Sequence, residues 1–266
     1  MAEPIHSLII GGTRGIGLEQ VKTFAARDHV VSVIARRAPE HVQQIPNVHY
    51  WSTDLTDPDG LTIALREVVE RSGKLRNLIF FQRYRGTTDD WSGEIETTLT
   101  ATRNTIEQLL GQFETGGQSS IVLVGSMASN FIAAEQPLSY HVGKAGLIQI
   151  ARYYAATRGP AGIRVNCVTP GAVLKEESKD VYLNNPGLYD LYRRITPLRR
   201  MATAREIVNV ISFLCSPEAS FITGQNIIVD GGLSLLWQES LSRNLAGDER
   251  SLDQFATNPT SEMSNK

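Results

Sequence analysis

Apolar residues along this chain fall into two alternating kinds of run, short continuous blocks and longer stretches with helical spacing. The blocks are Ile5 to Ile10, Val30 to Ala35, Val48 to Trp51, Leu78 to Phe81, Ile121 to Gly125 and Ile163 to Val168. Each has the length of a buried strand. Between them, Ile16, Val21, Phe24 and Ala25 recur at helical spacing, as do Leu61, Leu65, Val68 and Val69, a stretch from about Ile95 to Phe113, and Leu147, Ile148, Ile150, Ala151, Tyr154 and Ala155. Asp57-Pro58 is a suitable start for the second of these helices. Strands alternating with helices need crossover connections, so the pattern predicts an α/β fold with a parallel sheet covered on both faces. No break in composition marks a second domain, and residues 1–246 read as one. Leu233, Leu236, Trp237, Leu241 and Leu245 extend it by an amphipathic helix over 233–246. Residues 247–266 are polar and are expected to be disordered.

Composition narrows the function classes. With 266 residues, 41% of them hydrophobic, the chain can bury a full core. A net charge of −2 gives no electrostatic reason to bind nucleic acid or an anionic membrane. Cys167 and Cys215 lie in apolar sequence without CxxC or Cys/His spacing, so they read as buried thiols in a reducing compartment and not as metal ligands. No apolar run is long enough to span a bilayer, and the first residues carry no basic or apolar leader. The expectation is a cytoplasmic protein with no membrane, nucleic-acid or metal partner.

The first strand runs directly into Gly11-Gly12-Thr13-Arg14-Gly15-Ile16-Gly17 and a helix. Glycines at 11, 15 and 17 let the backbone turn sharply and approach a pyrophosphate, which the helix N-terminus would face. The simpler alternative is a tight connection with no ligand. The second strand ends in Arg36 and Arg37, where folds that bind NAD usually place an acid, and Arg14 could close on the same spot. Guanidinium groups suit a 2'-phosphate, which favours NADP(H) over NAD(H); a solvated surface pair is the other reading. Asp54 follows the third strand, placed to accept from an adenine amino group.

Tyr140 and Lys144 stand at i and i+4, one turn apart on one helix face. A free phenol has a pKa of about 10. A cation about 4 Å away, at an effective dielectric of about 20, contributes roughly 4 kcal/mol and can bring the phenol two or three units nearer working pH. Ser126 ends an apolar run, so its hydroxyl is expected at a strand's carboxyl end, where open parallel sheets bind ligands.

Taken in order, the Gly11, Gly15, Gly17 turn, Asp54, Ser126 with Tyr140 and Lys144, Asn166 through Pro170-Gly171, and Phe221 to Gln225 leading to Val229-Asp230-Gly231-Gly232 resemble the short-chain dehydrogenase/reductase superfamily over about residues 5 to 235. The resemblance implies a Rossmann-type doubly wound sheet and hydride transfer between a nicotinamide cofactor and a carbonyl or alcohol carbon of a small molecule. It implies Tyr140 as proton donor or acceptor, Lys144 as the group that acts on it and holds the nicotinamide ribose, and Ser126 as partner of the substrate oxygen. The cofactor would lie against Gly11, Thr13, Arg14, Gly15, Ile16, Gly17, Arg36, Asp54, Leu55, Tyr140, Lys144, Pro170, Gly171 and Val173. The resemblance also implies a homodimer or homotetramer formed through the helix that carries Tyr140, the other reading of its broad apolar face being a deeply buried core helix.

Some segments depart from the family pattern. The Asn-Asn-Ala-Gly usual after the fourth strand is replaced by Phe80-Phe81-Gln82-Arg83, Thr98 stands where an asparagine usually carries a proton-relay water, and Lys175 stands where a threonine often meets the cofactor amide. These changes leave open a cofactor-binding regulatory or scaffold protein without turnover. Arg83 and Arg85 either form a site for an anionic substrate group or, on the simpler and preferred reading, pair with Asp89 and Asp90 to order a loop. His141, one step from Tyr140, is turned away on the helix and reads as a packing or surface residue. The polar stretch from Val173 to Arg200, with Tyr182, Tyr189 and Tyr192, is the expected lid over the substrate.

Overall fold

The computed structural model describes residues 4–37, 44–86 and 90–247. The expected tail after Gly247 and Asp89 lie outside them. Its elements follow the alternation of the sequence: β1 (His6–Ile10), α1 (Gly15–Ala25), β2 (Val30–Ala35), β3 (Val48–Ser52), α2 (Pro58–Ser72), β4 (Asn77–Phe80), α3 (Trp91–Ile95), α4 (Ala101–Leu109), β5 (Ser119–Val124), α5 (Leu138–Arg158) and β6 (Ile163–Pro170). After them come β7 (Val173–Leu174), α6 (Lys179–Leu183), α7 (Pro186–Ile195), β8 (Ala202–Thr203), α8 (Ala204–Leu214), β9 (Asn226–Val229) and α9 (Gln238–Ala246).

Seven strands form one sheet in the order β3-β2-β1-β4-β5-β6-β9, and the pairs from β3 through β6 are all parallel. This is a Rossmann-type α/β fold. The strand order reverses at β1 and β4, which places the ends of both beside a crevice of the kind that takes ligands. Strands β1, β4 and β6 are buried along their whole length, as continuous apolar runs in a doubly covered sheet require. Leu8, Ile10, Leu61, Leu65, Leu78, Ile121 and Leu147 meet in the principal core cluster. Both cysteines are free and buried, and burial first of all pushes the Cys167 thiol up to about 11 and Cys215 to about 12.

Contacts within the chain gather into two compact units. One holds the chain through Pro170 together with Ala204–Ile228; the other holds Gly171–Thr203 and the stretch from Val229 onward.

The first unit departs from the sequence expectation in the stretch before β5. The helix expected from about Ile95 begins earlier, at Trp91, because the Asp90 side chain caps it by accepting from the Gly93 N–H at 2.9 Å. It is not continuous either, since a π-helical turn spans Glu96–Thr100. Thr102 and Thr105 turn their hydroxyls back onto the carbonyls of Thr98 and Ala101, both at 2.7 Å, and such back-bonding bends a helix.

In the second unit the polar, tyrosine-rich stretch folds into the short helices α6 and α7, with the Tyr182 and Tyr192 rings edge to face at 5.8 Å. The helix expected over 233–246 is a 3-10 turn at Leu233–Leu235, an extended step at Leu236 and Trp237, and only then α9. Asp230 explains the break, because its carboxylate takes the N–H groups of Gly232 (2.9 Å) and Ser234 (2.7 Å) and winds the chain into a turn first. The Arg194 guanidinium donates to the Asn244 and Leu245 carbonyls, both at 3.0 Å, and so ties α7 to the end of α9.

Candidate active site

The turn after β1 is built for close approach. Gly11 has φ +86°, and a Cβ there would stand 2.9 Å from the Gln82 backbone nitrogen at the end of β4. A Cβ on Gly17 would stand 2.5 Å from the Gly11 carbonyl oxygen, so α1 can pack on the turn only with glycine at 17. Arg14 is the extended N-cap of α1 and makes no side-chain cap, and the first turn of the helix carries no acid. The orphan N–H groups and positive dipole end of α1 thus lie beside a backbone cradle that a pyrophosphate fits. Thr13 lies in that turn, and Gly15 and Ile16 open α1.

Arg14 and Arg36 are both exposed, and β2 ends without an acid. Asp54 is exposed; its Oδ1 accepts from the Thr56 N–H (3.0 Å) and hydroxyl (2.8 Å). The Thr56 N–H, then the Thr56 hydroxyl and the Arg36 charge, hold the Asp54 carboxyl below the usual carboxylate range. Leu55 packs against the core cluster next to it. Gly171 and Val173 belong to the second unit, where the Gly171 N–H donates to the Val229 carbonyl at 2.9 Å. Pro170 closes β6.

Ser126 sits where β5 ends, as the N-cap of a 3-10 turn at Met127–Ser129. Its Oγ accepts from the Ala128 N–H at 3.3 Å, which leaves its own proton to be donated elsewhere. That turn packs against α5, whose first turn carries Tyr140 half-buried. Lys144, one turn further, is 4% exposed. Its Nζ donates to the Val124 carbonyl at 3.2 Å and stands 5.7 Å from the centre of the Tyr140 ring. No carboxylate among the described residues pairs with Lys144, so a buried ammonium is held by one neutral oxygen beside the phenol. His141 behaves as a packing residue: its Nε2 accepts from the Ala133 N–H (2.9 Å) and its Nδ1 donates to the Pro137 carbonyl (2.8 Å), which fixes the tautomer.

This arrangement can be compared with known proteins. Residues 11–234 match the sequence family described as Enoyl-(Acyl carrier protein) reductase. The chain belongs to the short-chain dehydrogenase/reductase family. It is 30% identical over 246 residues to the A-factor type gamma-butyrolactone 1'-reductase (1S-forming) of Streptomyces virginiae, covering 86% of this chain and 95% of that one. To the 3-oxoacyl-[acyl-carrier-protein] reductase MabA of Mycobacterium avium it is 29% identical over 239 residues, covering 86% and 89%. The crystal structure of gox2181 superposes with a TM-score of 0.77 at 26% identity, covering 88% of this chain and 97% of the other. Short-chain dehydrogenase/reductases are oxidoreductases that bind nicotinamide cofactors, and the Streptomyces virginiae and Mycobacterium avium relatives are named as reductases. Among the described residues no helix is long and apolar enough to cross a membrane.

Against the family pattern, two features of the site stand out that sequence reasoning did not find. Glu94 is 3% exposed and accepts from the Thr98 hydroxyl at 2.6 Å, and this pair packs against Gly143, between Tyr140 and Lys144. The Thr98 hydroxyl proton is therefore spent on a carboxylate. Arg83 is not paired with Asp90, whose Oδ2 accepts from the Tyr84 hydroxyl at 2.6 Å while Oδ1 caps α3. Its guanidinium instead lies over the Tyr140 ring, 4.9 Å from the centroid. Glu94 and Thr98 are four apart and could have been paired from sequence, but their packing on Gly143 and the stack of Arg83 on Tyr140 carry no sequence signal, because both depend on α5 lying across the segment after β4.

Proposed function

We propose that this short-chain dehydrogenase/reductase reduces a ketone or aldehyde carbonyl to an alcohol, or runs the reverse reaction, with NADP(H) as cofactor and Tyr140 as general acid/base. The observation that carries the reading is the buried Lys144 ammonium, whose one hydrogen bond among the described residues goes to a neutral carbonyl. Burying a cation this way is costly unless a ligand completes its partners. Two of its N–H groups remain for the ribose hydroxyls of a cofactor, whose pyrophosphate the Gly11–Gly17 turn would hold. When bound, the nicotinamide would supply or accept the hydride.

The chain's own residues then manage the oxygen. Ser126 donates to it and fixes its orientation, and Tyr140 gives its proton to the alkoxide that develops as the carbonyl is reduced. The neighbouring ammonium favours the phenolate left behind. In the oxidative direction the same groups act in reverse. Exposed Arg14 and Arg36, with no acid at the end of β2, support the choice of NADP(H). The names of the relatives support carbonyl or alcohol chemistry on a small molecule, and we read the working form as a cytoplasmic homodimer or homotetramer.

The test is steady-state oxidation of NADPH and NADH with a panel of ketones and aldehydes. Turnover that prefers NADPH and falls at least 1,000-fold in Tyr140→Phe is the expected result, since general acid catalysis together with oxygen positioning is worth about that much. Tight NADPH binding with no turnover on any compound would point instead to a regulatory or scaffold protein.

A further inference from the structure

The Tyr140 ring has a second cation against it. Arg83 Cζ stands 4.9 Å from the ring centroid, and Arg83 Nη2 donates to Gln136 Oε1 at 2.9 Å. Gln136 belongs to the loop that His141 fastens to α5 through Ala133 and Pro137. The guanidinium is thus oriented by an aromatic face and by a neutral amide. No carboxylate of the described residues lies within ion-pair distance of it, and Asp90, the acid next in sequence among them, is occupied by Tyr84 and Gly93. An arginine held in place by an acid has its charge answered. One held by a ring and an amide keeps its charge, and most of its planar fork of donors, for something else. Its side chain is exposed, so that partner can reach it.

We propose that Arg83 is a substrate-recognising residue and that the carbonyl compounds this protein reduces carry a carboxylate within a few bonds of the reacting carbon. The inference rests on Tyr140 being the proton donor to the substrate oxygen. Because Arg83 Cζ stands only 4.9 Å from the centre of the ring that carries the Tyr140 hydroxyl, one small molecule can reach both that hydroxyl and the guanidinium. A carboxylate there accepts two parallel charge-assisted hydrogen bonds, which an ester at the same place cannot do. The stack on Tyr140 also means that the groups recognising the two ends of the substrate are fixed relative to each other before it binds.

The experiment compares matched pairs, 3-oxobutanoate with its ethyl ester and 2-oxo-4-phenylbutanoate with its ethyl ester, in the wild type, Arg83→Gln and Arg83→Lys, with NADPH. The acids are expected to exceed their esters in kcat/KM by tenfold or more in the wild type. Arg83→Gln should remove that advantage through KM and be rescued in part by Arg83→Lys. An acid-to-ester ratio that is the same in the wild type and Arg83→Gln overturns the proposal, even where the esters are reduced normally and the reductase reading stands. Calorimetric binding of the acids and esters to NADPH-loaded Tyr140→Phe, with and without Arg83→Gln, separates recognition from turnover. Acid binding at least tenfold tighter than ester, and dependent on Arg83, supports the proposal even where no compound is turned over. Equal binding, or none, overturns it.

Discussion

The Lys144 ammonium is 4% exposed and, among the described residues, hydrogen-bonds one carbonyl, so it contributes little to stability and the fold keeps it at a cost. Replacing Lys144 with methionine, of similar length and without charge, removes that cost and leaves only the Val124 carbonyl without its donor. The expected net gain in the cofactor-free protein is about 1 kcal/mol, or a rise in melting temperature of roughly 2–4 °C for a chain this long. The rise in melting temperature that NADPH gives the wild type should vanish in the same variant. Thermal melts with and without NADPH check both halves, and a destabilised Lys144→Met would show that the ammonium is structurally satisfied after all. At this scale the approach of Lys144 to the Tyr140 ring is legible in the sequence because i, i+4 geometry is local to one helix. The position of Arg83 over Tyr140 is not, since it depends on where two distant segments meet, and the acids nearest to it in sequence suggest a different partner.

The segment from Trp91 to Leu109 shows how far an element can be read from its pattern. Its apolar periodicity was enough to predict a helix before β5, because Ile106 and Leu109 face the core. Its start was missed because the cap depends on Asp90 and not on apolar spacing. The π-helical turn was missed because threonines have no apolar signature, and here their hydroxyls decide the path of the backbone. Thr98 is the pivotal one, fully buried and donating to the buried Glu94 carboxylate. Thr98→Val keeps the shape and deletes the donor, so it strands a carboxylate in the interior. We expect a loss of about 2–3 kcal/mol in urea unfolding, near the upper end for an orphaned buried group because this one is acidic. Thr98→Ser should recover most of it. Equal stability of Thr98→Val and the wild type would mean that Glu94 has another source of stabilisation.

Across the whole molecule, the alternation of strands and helices sufficed to anticipate the parallel sheet, because crossover connections leave few arrangements. It gave no hint of a polar seam at the opposite, amino-terminal edge of that sheet. There the parallel register of β1 with β4 sets Ser7 beside Asn77, and Ser7 Oγ meets Asn77 Nδ2 at 3.0 Å and His29 Nδ1 at 2.9 Å. His6 bridges the Gly73 carbonyl (2.9 Å) and Ser32 (2.8 Å). Single histidines within or beside apolar runs look incidental in a sequence; only pairing of the strands gathers them. Both are buried, and that burial is the first cause that lowers His6 from its ordinary value and takes His29 down to about 4, with Arg27 and Arg76 adding to the effect on His29. Folded values below the unfolded 6.5 mean that the unfolded chain binds protons first as pH falls. The stability from the neutral, hydrogen-bonded His29 imidazole is therefore complete above about pH 6.5 and is lost between there and about pH 4, on the order of 3 kcal/mol, and the lowered His6 acts in the same direction. Carboxylates held below their usual range lose their contribution only at still lower pH, so the windows separate. His29→Asn keeps an acceptor for Ser7 and cannot take up a proton. Its urea midpoint should fall less than that of the wild type between pH 7.5 and 5, and parallel curves for the two proteins would remove His29 as the cause of the acid limb.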